Sequence, residues 1–557
     1  MLRRGTTRLG LGVAAIAAAL AVPAGAGAAG WSEPVELSGA KGIDTRVVSS
    51  PGGDAVIAWA HKGDDASVGG GPVSYSTRAP GAGFAAPQPI AAGAGGLIVD
   101  IASNAHGEAS VTWNGGFTGG HQATPYGTAF RAPGGPFGDA ATVPFGEGVG
   151  VLPGPGVSAM DGAGNTTWTW VDPETKRSRA VTRSRDGSFG PVREWPYGVS
   201  GAIASDGAGN LVLAWMGKAE GEEGNRIFVA SAPPGGAPGP ARAISEQFGN
   251  LDLLAHPKLR LVANDRGDFV VAWSAVPLAD PQPPGSLRSD QTLHVSVRPR
   301  GGEFGPPEAA APHPGRMTAI HEWDLAVSAR GDAIASWTDR GQVAAAYRPA
   351  GGTIERAVRL DPTDDGHDHG MPSVGLDGRG DALILYEERV AQHHHQIRAV
   401  HRPAGGRYGP ISIVDDAPHL YTPDVAADAD GDAVAAWTRQ SRWTHDSKED
   451  GVRAAVFDPS MPALAAVAVR PSGDTPSLAF KASSATRVTA RFDRREGKRW
   501  VRVGKASVKA RRGRNAIRPG GKLARRLRQP GRYRAALSAP VGGGLETQAK
   551  RIEFRVR

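Results

Sequence analysis

One short phrase recurs eight times along this chain, and it restricts the fold more than any other feature. Each copy is a turn rich in Gly, Asp or Asn followed by a short apolar run that ends in an aromatic residue, as in "SPGGDAVIAWA" and "NDRGDFVVAW". The eight aromatic residues are Trp59, Trp113, Trp170, Trp215, Trp273, Trp337, Tyr386 and Trp437. Their separations of 45 to 64 residues form a loose period, which is typical of propeller blades and other repeat arrays.

Each copy also has a second half. An alternating run ends in Arg-Pro or a similar pair, a Gly-rich turn follows, and a Phe/Tyr-Gly-Pro segment comes next, as in "LHVSVRPRGGEFGPPEAA" and "IRAVHRPAGGRYGPISIV". Together the two halves predict four short strands, A to D, joined by turns. The sequence therefore predicts an all-β fold, a β-propeller with four strands in each blade.

The two ends of the repeat region complement each other. The last copy supplies strands A (Pro423 to Asp428), B (Asp432 to Thr438) and C, and the composition then changes before any D strand appears. A segment that matches the D pattern, "WSEPVELS" (Trp31 to Ser38), precedes the first A strand. Pairing of this outer strand with the last blade would remove two exposed sheet edges. We therefore expect an eight-bladed propeller closed by the N-terminal strand, with seven blades as the alternative if one divergent repeat is irregular.

The recurring phrase has a structural explanation. A strand B that neighbouring blades cover on both sides should be a continuous apolar run, and its terminal Trp should fill the space between blades. The Gly before each Asp, Asn or Glu marks an A-to-B turn that needs positive φ.

In the last copy this turn contains three alternating aspartates, Asp428, Asp430 and Asp432, a pattern that some calcium loops share. The sibling turns keep the Gly and usually one acid, so the triplet is interpreted first as a turn and second as a calcium site.

The N-terminus predicts export. Residues 1–29 contain Arg3, Arg4 and Arg8, an apolar run from Leu9 to Val22, and small residues suited to cleavage, which is the pattern of a secretory signal peptide. No other stretch is apolar and long enough for a transmembrane segment. The chain has no Cys, so disulfides, thiolate metal sites and a Cys nucleophile are excluded. We expect a secreted or extracytoplasmic monomer, with cell-surface association as an option.

Charge divides the rest of the chain into two predicted domains. Residues 31–462, the propeller, contain 35 Lys and Arg against 50 Asp and Glu, whereas residues 463–557 contain 25 against 5, a net charge of +20. The basic segment alternates apolar and cationic residues, which predicts a sheet with one wet face. Such a basic surface is suited to binding a polyanion. The alternative interpretation is a strand face that is only exposed to solvent. Few aromatic residues accompany the cations, which argues against specific nucleic-acid recognition.

Two resemblances support this division. The repeats resemble those of uncharacterised secreted bacterial propeller proteins. The segment "LRQPGRYRAALSA" resembles strands of the small immunoglobulin-like β-sandwiches appended to secreted bacterial proteins. These resemblances imply a fold for each domain and no particular ligand.

Histidines collect in two predicted loops of the seventh repeat, in "DDGHDHGMP" and "AQHHHQIRAVH". Imidazole and carboxylate groups in one neighbourhood can bind zinc or another divalent metal. The candidate ligands are Asp365, His367, Asp368, His369, His393, His394 and His395. The alternative is a solvated His run, because no fixed ligand spacing is present.

Three functional classes remain open. The first is a non-enzymatic protein that binds extracellular carbohydrate, a peptide or a surface polymer through variable loops on the D-to-A and B-to-C side, with the basic domain as a polyanion anchor. The second is a sialidase-like propeller glycosidase, which needs paired carboxylates; the candidates are Glu322, Glu387, Glu388 and Asp424. The third is a metal-dependent enzyme that uses the His-rich loops.

Overall fold

The structure is a computed structural model of the chain. It describes residues 30–39, 42–61, 71–91, 96–114, 117–118, 122–123, 126–145, 157–172, 175, 177–195, 201–249, 259–276, 278, 292–310, 322–339, 341–361, 368–440, 451–472 and 475–556. The chain divides into two compact units, a larger one at Pro34–Pro459 and a smaller one made of Met1–Glu33 and Ser460–Arg557.

The larger unit is built from short strands. In chain order they are β1 (Val35–Glu36), β2 (Gly42–Ser49), β3 (Ala55–His61), β4 (Val73–Arg78), β5 (Gln88–Ala91), β6 (Ile98–Ser103), β7 (Ala109–Trp113), β8 (Phe117–Thr118), β9 (Gln122–Ala123), β10 (Gly127–Arg131), β11 (Ala141–Thr142), β12 (Ser158–Met160), β13 (Thr166–Val171), β14 (Ser178–Arg183), β15 (Arg193–Trp195), β16 (Gly201–Ser205), β17 (Leu211–Gly217), β18 (Arg226–Ala232), β19 (Arg242–Ala243), β20 (Leu259–Ala263), β21 (Phe269–Ala275), β22 (Thr292–Arg298), β23 (Glu308–Ala309), β24 (Trp323–Val327), β25 (Ala333–Asp339), β26 (Gln342–Arg348), β27 (Val358–Arg359), β28 (Asp368–Leu376), β29 (Ala382–Ala391), β30 (His394–Arg402), β31 (Ser412–Pro418), β32 (Leu420–Ala427), β33 (Ala433–Arg439) and β34 (Gly451–Phe457).

These strands form eight antiparallel sheets of four strands within the described part of the larger unit. Sheet 1 is β2-β3-β4-β5, sheet 2 is β6-β7-β10-β11, and sheets 3 to 7 take the next strands in consecutive groups of four. Sheet 8 is β32-β33-β34-β1. The strands β8 and β9 make a separate hairpin. Each sheet is thus a meander of the predicted strands A, B, C and D.

The first strands of the sheets lie side by side in a closed order. Strand β2 contacts β6, and the contacts then continue through β12, β16, β20, β24, β28 and β32, which returns to β2. This closed succession of meanders, packed face to face, is the arrangement of a β-propeller.

The N-terminal strand completes sheet 8, as the sequence predicts. Val35 lies opposite Ala454 and Glu36 opposite Arg453 in an antiparallel pair. The backbone N–H of Leu37 donates to the Val452 carbonyl at 2.8 Å. The strand is shorter than the predicted Trp31 to Ser38, because Ser32 forms a bridge with Thr547 of the smaller unit instead.

Packing explains the recurring phrase. The eight aromatic residues that end the B runs are all buried, with exposed fractions between 0% and 6%. The eight turn glycines, Gly53, Gly107, Gly164, Gly209, Gly267, Gly331, Gly380 and Gly431, all have positive φ, as predicted.

The smaller unit has two larger sheets that share one apolar core, and a two-stranded sheet. Its strands are β35 (Leu464–Ser472), β36 (Thr475–Ala482), β37 (Thr486–Glu496), β38 (Arg499–Ala510), β39 (Gly513–Ile517), β40 (Gly531–Ser538), β41 (Pro540–Gly542), β42 (Leu545–Glu546) and β43 (Lys550–Val556), with one helix, α1 (Gly521–Leu527). One larger sheet is β35-β36-β39, the other is β38-β37-β40-β43, and the two-stranded sheet is β41-β42. Leu478 and Phe480 of the first sheet share a core with Phe492 and Tyr533 of the second. The helix was not predicted from the alternating pattern.

Trp31 belongs to the smaller unit, where it is 1% exposed and its carbonyl accepts the Gln548 N–H at 3.1 Å. Of the residues that the structure describes, none belongs to a helix long and apolar enough to cross a membrane.

Candidate functional site

Charged side chains converge where the first strands of the propeller meet. Arg46 of β2 interacts electrostatically with Asp44 of the same strand, with Asp100 of β6, with Asp324 of β24 and with Asp424 of β32. These strands belong to sheets 1, 2, 6 and 8, which lie far apart in sequence. We call these five residues, together with Arg260 of β20, the central cluster.

Carboxylates of the central cluster join several of the first strands to their neighbours. Asp424 Oδ2 accepts the backbone N–H of Val47 at 2.8 Å, and its Oδ1 accepts the Ser373 hydroxyl at 3.0 Å. Asp100 Oδ2 accepts the N–H of Ser158 at 2.9 Å. These bonds cross from sheet 8 to sheet 1, from sheet 7 to sheet 8, and from sheet 2 to sheet 3.

Asp324 repeats the arrangement. Its Oδ2 accepts the N–H of Val374 at 2.9 Å, which joins sheet 6 to sheet 7, and its Oδ1 contacts Arg260 at 2.7 Å. A hydrogen bond to a charged acceptor contributes about 1.5–3 kcal/mol, so such bonds hold the sheets in fixed register around the centre.

Burial and charge act in opposite directions in the cluster. Burial raises the pKa of the Asp424 carboxyl, while the Arg46 guanidinium opposes that rise. Burial likewise raises the pKa of Asp44, again against the effect of Arg46, which lies 3.1 Å away. Burial acts to lower the pKa of Arg46, but the surrounding carboxylates outweigh it and raise that pKa. The cation is therefore held in its charged form by its neighbours.

Three residues near this centre have positive φ although they are not glycine: Asp44, Met371 and Thr422. They lie at irregularities in the pairing of the first strands of sheets 1, 7 and 8. Backbone strain of this kind costs about 1–3 kcal/mol per residue and persists only where the surrounding structure enforces it. The bonds to the central carboxylates supply that enforcement for sheets 1, 7 and 8.

The four carboxylates predicted for a glycosidase have separate partners. Glu322 Oε2 accepts the N–H of Met371 at 2.5 Å. Glu387 lies 2.6 Å from His395 Nδ1, and Glu388 contacts Arg398. Asp424 belongs to the central cluster.

The three consecutive histidines have different surroundings. His394 and His395 face opposite sides because side chains alternate along β30, and His393 lies in the turn before that strand. His394 Nε2 lies 2.5 Å from Asp416 Oδ1. His395 is buried, with Nδ1 at Glu387 and Nε2 3.4 Å from the Tyr421 hydroxyl. His393 has a φ of 61° and its ring lies 5.2 Å from that of His419.

The other predicted metal ligands contribute less information. Asp365 and His367 lie outside the described residues, and Asp368 and His369 are described only as backbone of β28. Across the described ranges, no group of three or more His, Cys, Asp or Glu side chains is arranged to hold a metal ion.

The aspartate triplet serves its own turn. Asp428 Oδ1 accepts the N–H groups of Asp430 at 2.9 Å and Asp432 at 3.0 Å. The first residue of the turn in other sheets makes the same pair of bonds, as Asp206 does with Ala208 and Asn210. Asp430 is largely exposed and contacts Arg379 at 3.1 Å.

Most loops of the predicted functional face lie outside the described residues. The B-to-C loop of sheet 4, Gly217 to Asn225, is described throughout. Its Glu222 forms a 2.7 Å ion pair with Arg226, the first residue of β18.

A second candidate site lies on the smaller unit. The outward face of sheet β38-β37-β40-β43 carries ten cations, which are Arg487, Arg491, Arg495, Arg502, Lys505, Lys509, Arg532, Arg534, Arg551 and Arg555. The carboxylate of Asp493 pairs with two of them, Arg502 at 2.6 Å and Arg534 at 2.8 Å.

Two strands of this face place cations directly opposite one another. Arg487 lies opposite Lys509, and Arg491 lies opposite Lys505. Between these two pairs the hydroxyls of Thr489 and Ser507 lie 2.9 Å apart. We call these six residues the cationic ladder.

Sequence reasoning identified Asp424 but missed the rest of the central cluster, and it predicted a basic sheet face without its register. The signal for the cluster was a lone charged residue within short, largely apolar first strands, such as Asp100 in "IVDIAS" and Asp324 in "WDLAV".

No family model matches the chain, and the search of curated proteins gave no significant match. Solved structures with a similar fold include a fungal alcohol oxidase of the AA5 family in complex with copper, at 11% identity and a TM-score of 0.37, covering 81% of this chain and 95% of that one. The polysaccharide lyase Uly1 is similar at 10% identity and a TM-score of 0.40, covering 64% and 88%. The β-propeller domain of the Trilobed protease from Pyrococcus furiosus is similar at 8% identity and a TM-score of 0.37, covering 65% and 93%. Similarity at this level says nothing about activity, and the β-propeller assignment rests on the strand pairing described above.

Proposed function

We propose that this chain is an exported, non-enzymatic binding protein. In this proposal an eight-bladed propeller, closed by the N-terminal strand, carries the recognition loops. A C-terminal immunoglobulin-like β-sandwich attaches the protein to an extracellular polyanion.

The cationic ladder is the observation that supports this proposal. Like charges directly opposite one another destabilise a sheet. Arg487 and Lys509 are both exposed, whereas Arg491 of the adjoining Arg491–Lys505 pair already contacts the Glu546 carboxylate. An anion placed over the ladder would relieve the repulsion between Arg487 and Lys509.

The spacing of the ladder suits a chain of anions. Alternate residues on one strand are about 6.6–6.8 Å apart, so the two cation pairs lie roughly 13 Å from one another. The hydroxyls of Thr489 and Ser507 between them can donate hydrogen bonds to sulfate, phosphate or carboxylate oxygens. A repeating polyanion could therefore contact all three rungs.

The central cluster gives the propeller a structural centre and does not favour catalysis. A glycosidase needs one carboxyl group to donate a proton and another to act as base or nucleophile. The oxygens of Asp100, Asp324 and Asp424 instead accept backbone N–H groups of the neighbouring strands.

The test compares polyanion binding by two charge-reversed double variants. Arg487→Glu with Lys509→Glu removes one rung of the ladder. Lys522→Glu with Arg525→Glu makes the same change in net charge on helix α1, where both side chains are exposed. Dextran sulfate, polygalacturonate and double-stranded DNA serve as probes at two salt concentrations.

The ladder variant should bind dextran sulfate about 30-fold more weakly. Each reversal replaces an attraction of about 0.5 kcal/mol with a repulsion of similar size, which gives about 2 kcal/mol for two residues. The helix variant should lose much less, and binding should weaken with added salt. Equal losses in the two variants, or no binding of any probe by the native protein, would refute the proposal.

A further inference from the structure

A groove of about 290 Å³ lies between sheets 3 and 4 of the propeller. Its walls are formed by small side chains of sheet 3, such as Ala159 and Ala180, by Leu211 of sheet 4, and by the turn at Pro234 and Gly235. An apolar cavity of about 150 Å³ is enough to hold benzene, so this groove has room for an aromatic ring.

The same place is filled by the chain's own side chains in other sheets. In seven sheets the turn between strands C and D closes with the same backbone hydrogen bond, as from the Gly190 N–H to the Thr182 carbonyl in sheet 3. The residue just before this donor, Phe189 in sheet 3, occupies an equivalent position in each turn. In six of them that residue is large and packs against the preceding sheet: Phe84, Phe137, Phe189, Phe304, Ile354 and Tyr408. In sheet 4 it is Pro238, identified by the bond from Gly239 N–H to the Ser231 carbonyl at 2.9 Å.

The groove therefore exists because one repeat lacks its aromatic residue. The core between sheets 3 and 4 contains Trp195, Leu211 and Trp215 but no residue of the sheet 4 turn. By comparison, Phe189 of sheet 3 lies 6.0 Å from Trp168 in the preceding interface.

The groove also offers polar groups. Trp195 also lines it, but its indole Nε1 is itself buried and does not face the open volume. Arg193 lines it as well, and its guanidinium donates to the Gly236 carbonyl at 3.3 Å. The hydroxyls of Thr167 and Thr182, 2.8 Å apart, lie on the same wall.

We propose that this groove binds a tyrosine side chain presented by a partner polypeptide. The ring takes the place that Phe, Tyr or Ile of a C-to-D turn occupies in six other sheets. A polypeptide is the favoured source because a polypeptide turn fills the equivalent space elsewhere in the ring, where sheet 7 itself uses Tyr408. This site is separate from the cationic ladder and goes beyond the proposed anchoring to a polyanion.

The experiment measures binding of N-acetyl-tyrosinamide, N-acetyl-phenylalaninamide and p-cresol by titration calorimetry and ligand-observed NMR. Pro238→Phe supplies the missing ring from within the chain. Pro240→Phe, two residues further along the same turn at an exposed position, is the matched control. Pro238→Ile supplies a smaller side chain, like the Ile354 that sheet 6 has at this position.

The native protein and Pro240→Phe should bind N-acetyl-tyrosinamide with a dissociation constant on the order of 1 mM or below. Pro238→Phe should weaken this binding at least about tenfold, with an unchanged or higher unfolding temperature because the groove is filled. Pro238→Ile, which fills less of the groove, should weaken N-acetyl-tyrosinamide binding about three- to tenfold.

Several results would overturn the proposal. These are no binding by the native protein, binding by Pro238→Phe or Pro238→Ile equal to that of the native protein, and binding of p-cresol without N-acetyl-tyrosinamide. If Pro238→Phe does not fold, Pro238→Ile decides. Dextran sulfate binding should be the same in the native protein and Pro238→Phe, which separates this test from that of the cationic ladder.

Discussion

Replacing Asp432 with asparagine should stabilise the propeller at neutral pH. Burial, followed by the nearby carboxylates of Asp458 and Asp428, raises the pKa of Asp432 from 3.8 to about 6. A shift of roughly two units corresponds to about 3 kcal/mol at 1.36 kcal/mol per unit. Because the side chain is half-exposed, solvent screening reduces this to about 1–1.5 kcal/mol.

The direction of the pH dependence follows from the raised pKa. The folded protein binds the proton of Asp432 more tightly than the unfolded chain, so ionisation destabilises the fold. The cost is absent below about pH 4, grows as the pH rises towards 6 and is complete above it. Asparagine removes the charge, and an amide at this place can bond to the first residue of the turn, as Asn165 does with Asp161 at 2.9 Å.

The assay is urea unfolding of the native protein and Asp432→Asn at pH 4.5, 5.5, 6.5 and 7.5. The variant should be more stable by about 1–1.5 kcal/mol at pH 7.5, with the difference shrinking at pH 4.5. Asp268→Asn is the matched control at the same turn position in sheet 5. Asp268 accepts the N–H of Arg300 at 2.9 Å and the amide of Asn264 at 2.8 Å, so its replacement should destabilise the protein. A loss of stability in Asp432→Asn, or a gain independent of pH, would refute this reasoning.

Three further predictions concern the propeller. Trp437→Phe should cost about 1–3 kcal/mol in urea unfolding, because Asp415 Oδ2 loses the indole N–H that it accepts at 2.8 Å; an unchanged midpoint would contradict this. Asp424→Ala should cost about 3–5 kcal/mol by leaving Arg46 short of a counter-charge and Val47 N–H without an acceptor; a neutral effect would show that the central cluster does not join the sheets. Elemental analysis after mild dialysis should find less than about one equivalent of zinc or calcium per chain, since His395 faces Glu387 and the turn aspartates bond to their own backbone. One equivalent or more would contradict this expectation and support the metal sites predicted from the sequence.

The repeated meanders could be predicted from the sequence because burial on both faces makes each B strand a continuous apolar run. Trp59 and Trp437 end such runs and are both 0% exposed. The closing strand could be predicted as well, since the last repeat lacked a D strand and the segment before the first repeat matched one. Its length could not, because the bridge from Ser32 to Thr547 depends on contacts distant in sequence.

The central cluster could not be predicted in the same way. A single Asp in a short strand, such as Asp100 or Asp324, is usually solvated, and only closure of the ring brings these carboxylates near Arg46. The His run shows a related limit. Consecutive residues of a strand face opposite sides, so His394 and His395 reach different partners.

The groove beside Pro238 shows a third limit. The loss of the aromatic residue is visible when "GGAPGP" is set beside "DGSFGP". Its consequence depends on which neighbouring sheet the missing ring would have contacted, and that information comes only from the packed propeller.

Pairing of the N-terminal strand with sheet 8 is the central claim, and the absence of native Cys allows a direct test by disulfide cross-linking. Glu36 lies opposite Arg453, and directly opposite residues of an antiparallel pair are about 4.5–5.5 Å apart at Cα, within the range of a disulfide. Glu36→Cys with Arg453→Cys should oxidise to an intramolecular disulfide, measured by peptide mass spectrometry. Glu36→Cys with Arg398→Cys, the equivalent strand position in sheet 7, should not. Cross-linking in the second pair, or in neither, would contradict a ring closed by its N-terminal strand.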